Sequence, residues 1–136
     1  MADDGQSGRV TVNAFLVADT YFFAHYFEEE AVFEKLQPYY DRYDHRFEVP
    51  APRMPGIRDY LAGRGYDLEI VDDPDEFAVA VRKFTDHPDV VFEESVLEVG
   101  TDHFNVFVMR SRATVADAVE RGARPLSTMD LTLDMG

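Results

Sequence analysis

The sequence predicts an α+β fold in one domain, a mixed sheet of five or six strands with about four helices, in the order β-α-β-α-β-α-β-β-α-β. Three observations carry this. In the first half, strand-length apolar runs alternate with segments of helical period, which points to partly parallel pairing. Two strand-like runs flank Gly100-Thr101-Asp102 as a hairpin. The length of 136 residues suffices for one core and is short for two of normal size. Residues 1–8 read as a disordered tail, and residues 9–136 as the domain.

Arg9 to Ala18 reads as the first strand, apolar on both faces and therefore central. Thr20 to Gln37 reads as a helix: Asp19 and Thr20 suit an N-cap, and Phe23, Phe27 and Ala31 lie four apart. Phe22, Tyr26, Phe33, Leu36 and Tyr40 widen that apolar face, and Pro38 ends the helix near Gln37. Residues 20–43 hold nine of the chain's 18 aromatics and form the stretch around which the core is expected to build.

Arg46 to Val49 reads as a short strand. Pro50, Pro52 and Pro55 make residues 50–56 an extended crossover loop, followed by a short helix from Ile57 to Gly63. Asp67 to Val71 is the next strand. Asp73-Pro74-Asp75-Glu76 has the pattern of a capped helix start, and Phe77, Ala80, Val81 and Phe84 supply a stripe behind it. Val90 to Val99 and His103 to Arg110 form the hairpin, its second strand interior. Thr114 caps a last helix, Val115 to Arg121, which stops at Gly122, and Met129 to Leu133 offers an edge strand.

Charge is the strongest compositional signal. Asp and Glu number 27 against 13 Lys and Arg, a net charge of −14, and 11 of the basic residues are arginine. This composition resembles that of proteins from salt-in halophiles such as haloarchaea. Such a surface repels itself at low salt, and at molar salt the screening length falls to about 3 Å. The absence of cysteine excludes thiol catalysis, thiolate metal sites and disulfides. No apolar run approaches the roughly 18 residues of a membrane span, and residues 1–8 lack the features of a signal peptide. The expected location is the cytoplasm.

Three of the four histidines follow an aspartate: Asp44-His45, Asp86-His87 and Asp102-His103. Aspartate can fix an imidazole's tautomer, but adjacent residues seldom face each other, and these pairs read as surface turns. His25 and Glu29 have helical ligand spacing, with no third ligand nearby in the sequence, so neither a metal nor a cofactor is expected. No nucleophile elbow, phosphate loop or zinc-protease motif is present.

The leading expectation is a non-enzymatic interaction domain that assembles with itself or with another protein through Tyr21, Tyr39, Tyr40 and Tyr43. The alternative is a small enzyme or ligand-binding domain, with a pocket between helix 20–37 and loop 50–56 lined by His25, Arg53 and Arg58. A nucleic-acid-associated regulator is the third possibility. It requires Arg110, Arg112, Arg121 and Arg124 to gather on one face.

Overall fold

The computed structural model describes residues 9–129. The chain is α+β, and among the described residues it contains two sheets, of five and four strands, and four α-helices. It divides into two compact units at Val71 and Asp72.

The first unit is built on strands β1 (Val10–Val17), β2 (Thr20–Phe23), β3 (Tyr40–Asp41), β4 (Arg46–Pro50) and β5 (Tyr66–Val71). Their order across the sheet is β3-β4-β2-β1-β5. β1 runs antiparallel to β2 and parallel to β5, so the sheet is mixed and β1 is interior, as its two apolar faces predict. Helix α1 (Glu30–Leu36) buries Val32 and Leu36, one turn apart. Helix α2 (Met54–Ala62) buries Met54, Ile57 and Leu61. These residues join Val12, Ala14, Phe23, Phe27, Phe47, Val49 and Leu68 in one core.

The predicted helix from Thr20 to Gln37 is therefore corrected. Its first four residues form β2, in register with β1 (Phe15 beside Phe22) and with β4 (Phe23 beside Phe47). A two-residue turn at Ala18-Asp19 makes the hairpin, with Ala18 at φ 55°, a conformation in which glycine is more usual. Consecutive aromatics satisfy a helical period by accident, and their preference for pleated, half-buried surface prevails. Only residues 30–36 are α-helical, and a 3-10 turn over Gln37–Tyr39 continues them.

The proline loop is also corrected. Residues Ala51–Arg53 form a 3-10 turn and α2 starts at Met54. Pro52 and Pro55 occupy first-turn positions, where a missing backbone donor costs nothing.

The second unit holds β6 (Ala78–Arg82), β7 (Ser95–Gly100), β8 (Phe104–Met109) and β9 (Arg124–Pro125), all antiparallel, in the order β7-β8-β6-β9. Helices α3 (Asp89–Glu93) and α4 (Arg112–Glu120) complete it. Val79, Val81, Val90, Val91, Phe107, Met109, Ala118 and Ala123 form its core.

The helix predicted over Phe77 to Phe84 is a strand. Asp73 does cap, accepting from the Asp75 N–H at 3.2 Å, but what it caps is a 3-10 turn over Pro74–Phe77. Ala78, Val79, Ala80 and Val81 are all buried, so this central strand lacks the alternation that would have revealed it. The hairpin turn forms as predicted, with Thr101 N–H donating to the Phe104 carbonyl at 2.8 Å and β8 interior. Its first strand is corrected: Asp89–Glu93 is helix α3, which buries Val90 and Val91, and β7 starts only at Ser95. The last helix starts earlier than predicted. Ser111 is its cap and Thr114 its third residue, in a reciprocal capping box. The expected N-terminal tail and most of the expected strand at Met129 to Leu133 lie outside the described residues.

Candidate functional site

An open recess of the first unit lies at the β3 edge of its sheet. Pro38, Tyr39, Tyr40, Asp41, Arg42, Tyr43 and Glu48 line an open groove of about 470 Å³. Pro38 ends the helical run, Tyr40 and Asp41 pair with Phe47 and Arg46, and the chain then turns through residues 42–45. This turn is pinned by Asp41, whose carboxylate accepts from the Tyr43 N–H at 2.9 Å and the Asp44 N–H at 3.3 Å. Those two donors hold the Asp41 carboxyl below its ordinary pKa.

Three of the four predicted interface tyrosines meet here. Tyr40 is anchored: its ring lies 5.3 Å from Phe33 and 5.0 Å from Phe47, and its hydroxyl lies 3.4 Å from His45 Nδ1. Tyr39 packs against the core with part of its surface open. Tyr43 is 88% exposed. Tyr21 is elsewhere, on β2 beside Val49, packed against the core and not lining the groove.

The groove carries both signs of charge. Asp41, Asp44 and Glu48 each bring a carboxylate oxygen within 4.8 Å of the others, a grouping able to hold a cation, and one that sequence spacing gave no reason to expect. Arg46 already occupies part of that field, with Nε 2.9 Å from Glu48 and a terminal nitrogen 3.6 Å from Asp44. Arg42 is exposed and makes no ion pair among the described residues.

The three predicted ligand residues occupy different settings. His25 meets Phe27 and Tyr66 edge-on, with ring centres 4.9 and 5.7 Å apart. Arg53 is exposed at the end of the 3-10 turn before α2. Arg58 lines a shallow depression of about 410 Å³ with Thr11, Asp67, Leu68, Glu69 and Ile70, which His25 and Arg53 do not share. The pocket expected between an aromatic helix and a proline loop loses its first wall, since residues 20–23 are a strand hydrogen-bonded to β4.

The Asp-His pairs all fall between regular elements, and none is joined by an Asp–His hydrogen bond among the described residues. His87 has other partners. Its Nδ1 lies 2.7 Å from the Thr85 carbonyl and so carries the proton, and its Nε2 accepts from the Asn105 amide at 3.1 Å. The ring stacks on Phe92, with centres 5.7 Å apart and planes 14° apart. Both nitrogens are engaged, so the residue ties the turn before α3 to β8. Residue spacing gives no hint of this contact, which spans 18 positions.

The C-terminal arginines do not gather as one group. Arg110 pairs with Glu94, and Arg112 with Glu76 at 3.2 Å. Arg121 and Arg124 meet Arg82 instead, in a recess of the second unit. No described helix is long and apolar enough to cross a membrane. Compared with models of known protein families, with curated proteins and with solved structures, the chain matches none.

Proposed function

We propose that the protein is a non-enzymatic, self-assembling interaction module, and that a second copy of the chain docks at the groove of Tyr39, Tyr40 and Tyr43. One observation carries this reading: three tyrosines converge on one open recess, with Tyr43 almost wholly exposed on a turn fixed by Asp41. Tyrosine presents a large amphipathic surface at low entropic cost and is enriched among residues that dominate interfaces. At only two residues, β3 is too short an edge for extensive strand addition, so recognition falls to side chains.

The mixed charge favours a second copy as occupant. In a two-fold interface a patch meets itself. Arg42 of one copy can then face Asp41 or Asp44 of the other, whereas a uniformly acidic face would repel its own image. The acidic composition supports a salt-rich cytoplasmic setting, in which screening removes the repulsion between two chains of net charge −14.

Native mass spectrometry from concentrated volatile salt tests the proposal. The expected mass is a multiple of the 15.5 kDa chain, reverting to one chain in the double variant Tyr39→Ser, Tyr43→Ser. A bare monomer in the unaltered protein, or an assembly indifferent to both substitutions, contradicts it.

A further inference from the structure

We propose that the second unit carries a phosphate-binding site at Arg82, Arg121 and Arg124, independent of the tyrosine groove. The three arginines line one cavity of about 190 Å³ together with Thr85, Asp86 and Phe104. The sheet brings them there. Phe104 stands directly across from Arg82, and Arg124 across from Ala80. Ala80 and Arg82 are two apart on β6, so Arg82, Phe104 and Arg124 share a face. Arg121 joins from the end of α4, where Gly122, at φ 113°, turns the chain back toward β9.

Five of the 11 arginines, Arg42, Arg53, Arg58, Arg82 and Arg124, have no ion pair among the described residues, and this recess brings two of them together. Arg9, Arg46, Arg64, Arg110 and Arg112 are each held by a carboxylate. Arg82 and Arg124 have no ion pair among the described residues, although acids outnumber bases 27 to 13. Arg121 is held by Asp117 at 2.9 Å, which fixes its position and offsets its charge. Asp86 and the carbonyl end of α4 oppose an anion. Arg82 and Arg124, with no ion pair among the described residues, outweigh the Asp86 carboxylate by one charge, so recognition of a phosphate monoester rests on forked hydrogen bonds more than on net charge.

Arginine also suits the expected solvent. At molar salt the screening length is about 3 Å, so attraction at a distance contributes little. Direct, forked hydrogen bonds to oxyanion oxygens survive, and guanidinium supplies them where ammonium does not. Phe104 gives the cavity an aromatic wall for a ring attached to the phosphate.

The test is an NMR titration of the full chain in molar potassium chloride, with inorganic phosphate and adenosine monophosphate added separately. Saturable shifts are expected at the backbone amides of Thr85, Asp86 and Gly122. Arg82→Gln and Arg124→Gln should each weaken binding about tenfold. Tighter binding of the nucleotide would support a phosphorylated aromatic ligand, and equal affinity would support free phosphate. Where Arg82→Gln disturbs the fold, Arg82→Lys keeps the charge and loses the fork, and affinity should still fall. No saturable shift with either anion, or unchanged affinity in the variants, overturns the site. So does a single-stranded oligonucleotide that binds here when both small phosphates fail.

Discussion

All seven tyrosines of the chain lie in the first unit, and the buried strand residues of the second are valine, alanine, leucine, methionine and phenylalanine. The units are of similar size, the first on a mixed sheet and the second on an antiparallel one, and they treat their surfaces differently. In the first, aromatic rings extend from the core to the β3 edge, from Phe47 through Tyr40 to the exposed Tyr43. In the second, Phe92 and His87 meet the buried Phe107 edge-on, and the exposed rings, Phe84 and Phe92, carry no hydroxyl. A tyrosine can end a core and begin a surface because its tip tolerates water. The proposed protein contact accordingly lies in the first unit, and the proposed phosphate site in the second.

The largest effects should come from the two cores. Phe47→Ala and Phe107→Ala each remove a ring that is fully buried, and each should cost about 3–5 kcal/mol in denaturant unfolding. A cost below about 1 kcal/mol for either would mean that the ring is not the centre of its core. Helix ends come next. Helix α4 has a reciprocal Ser111–Thr114 capping box, whereas Glu29 at the start of α1 makes no side-chain cap bond. Ser111→Ala should cost about 1 kcal/mol, and Asp73→Ala about as much or less, because Asp73 caps only a 3-10 turn. Equal losses well above that value would contradict the capping account.

The smallest effects are electrostatic. Asp67 accepts from Arg9 Nε at 3.0 Å, and that bond lowers its carboxyl pKa. With the folded value below the unfolded one, the contact contributes stability above the ordinary carboxylate range, and the contribution is lost as pH falls through the depressed value. Carbon-detected NMR titration should place Asp67 below the usual range, and Arg9→Gln should return it. Tyr66 behaves oppositely: burial, followed by Glu29 and Glu28, raises its phenol. Its contribution is complete below the unfolded tyrosine pKa and is lost as pH rises through the folded one. An ultraviolet phenolate titration should therefore show one late tyrosine, absent in Tyr66→Phe.

Much of this fold was legible in residue order. β1, β4, β5, β8 and the turn at Gly100-Thr101-Asp102 follow from apolar runs and turn residues, and α1 ends next to Pro38, at Gln37, while α3 occupies residues that read as the start of β7. Two of the misread elements share one physical cause. Tyr21-Phe22-Phe23 and Ala78-Val79-Ala80-Val81 are apolar at consecutive positions, so each fits helical and strand periods alike. What makes them strands is pairing that apolar period does not show: β1 and β4 on either side of the first, β8 and β9 on either side of the second. The groove was half legible. Tyr39, Tyr40 and Tyr43 stand close together in the chain, but Glu48 enters by strand pairing, and Tyr21 leaves because β2 carries it to the core. Arg82 was silent for the same reason: only the sheet register sets it beside Arg124.

Sedimentation of two single variants at matched concentration in molar salt tests the central claim most directly. Tyr43 in the first unit and Phe84 in the second are both highly exposed aromatics, at 88% and 100%. Tyr43→Ser should convert the assembly to single chains while Phe84→Ser leaves it intact. Dissociation by Phe84→Ser with Tyr43→Ser still assembled would move the interface to the second unit and contradict the account.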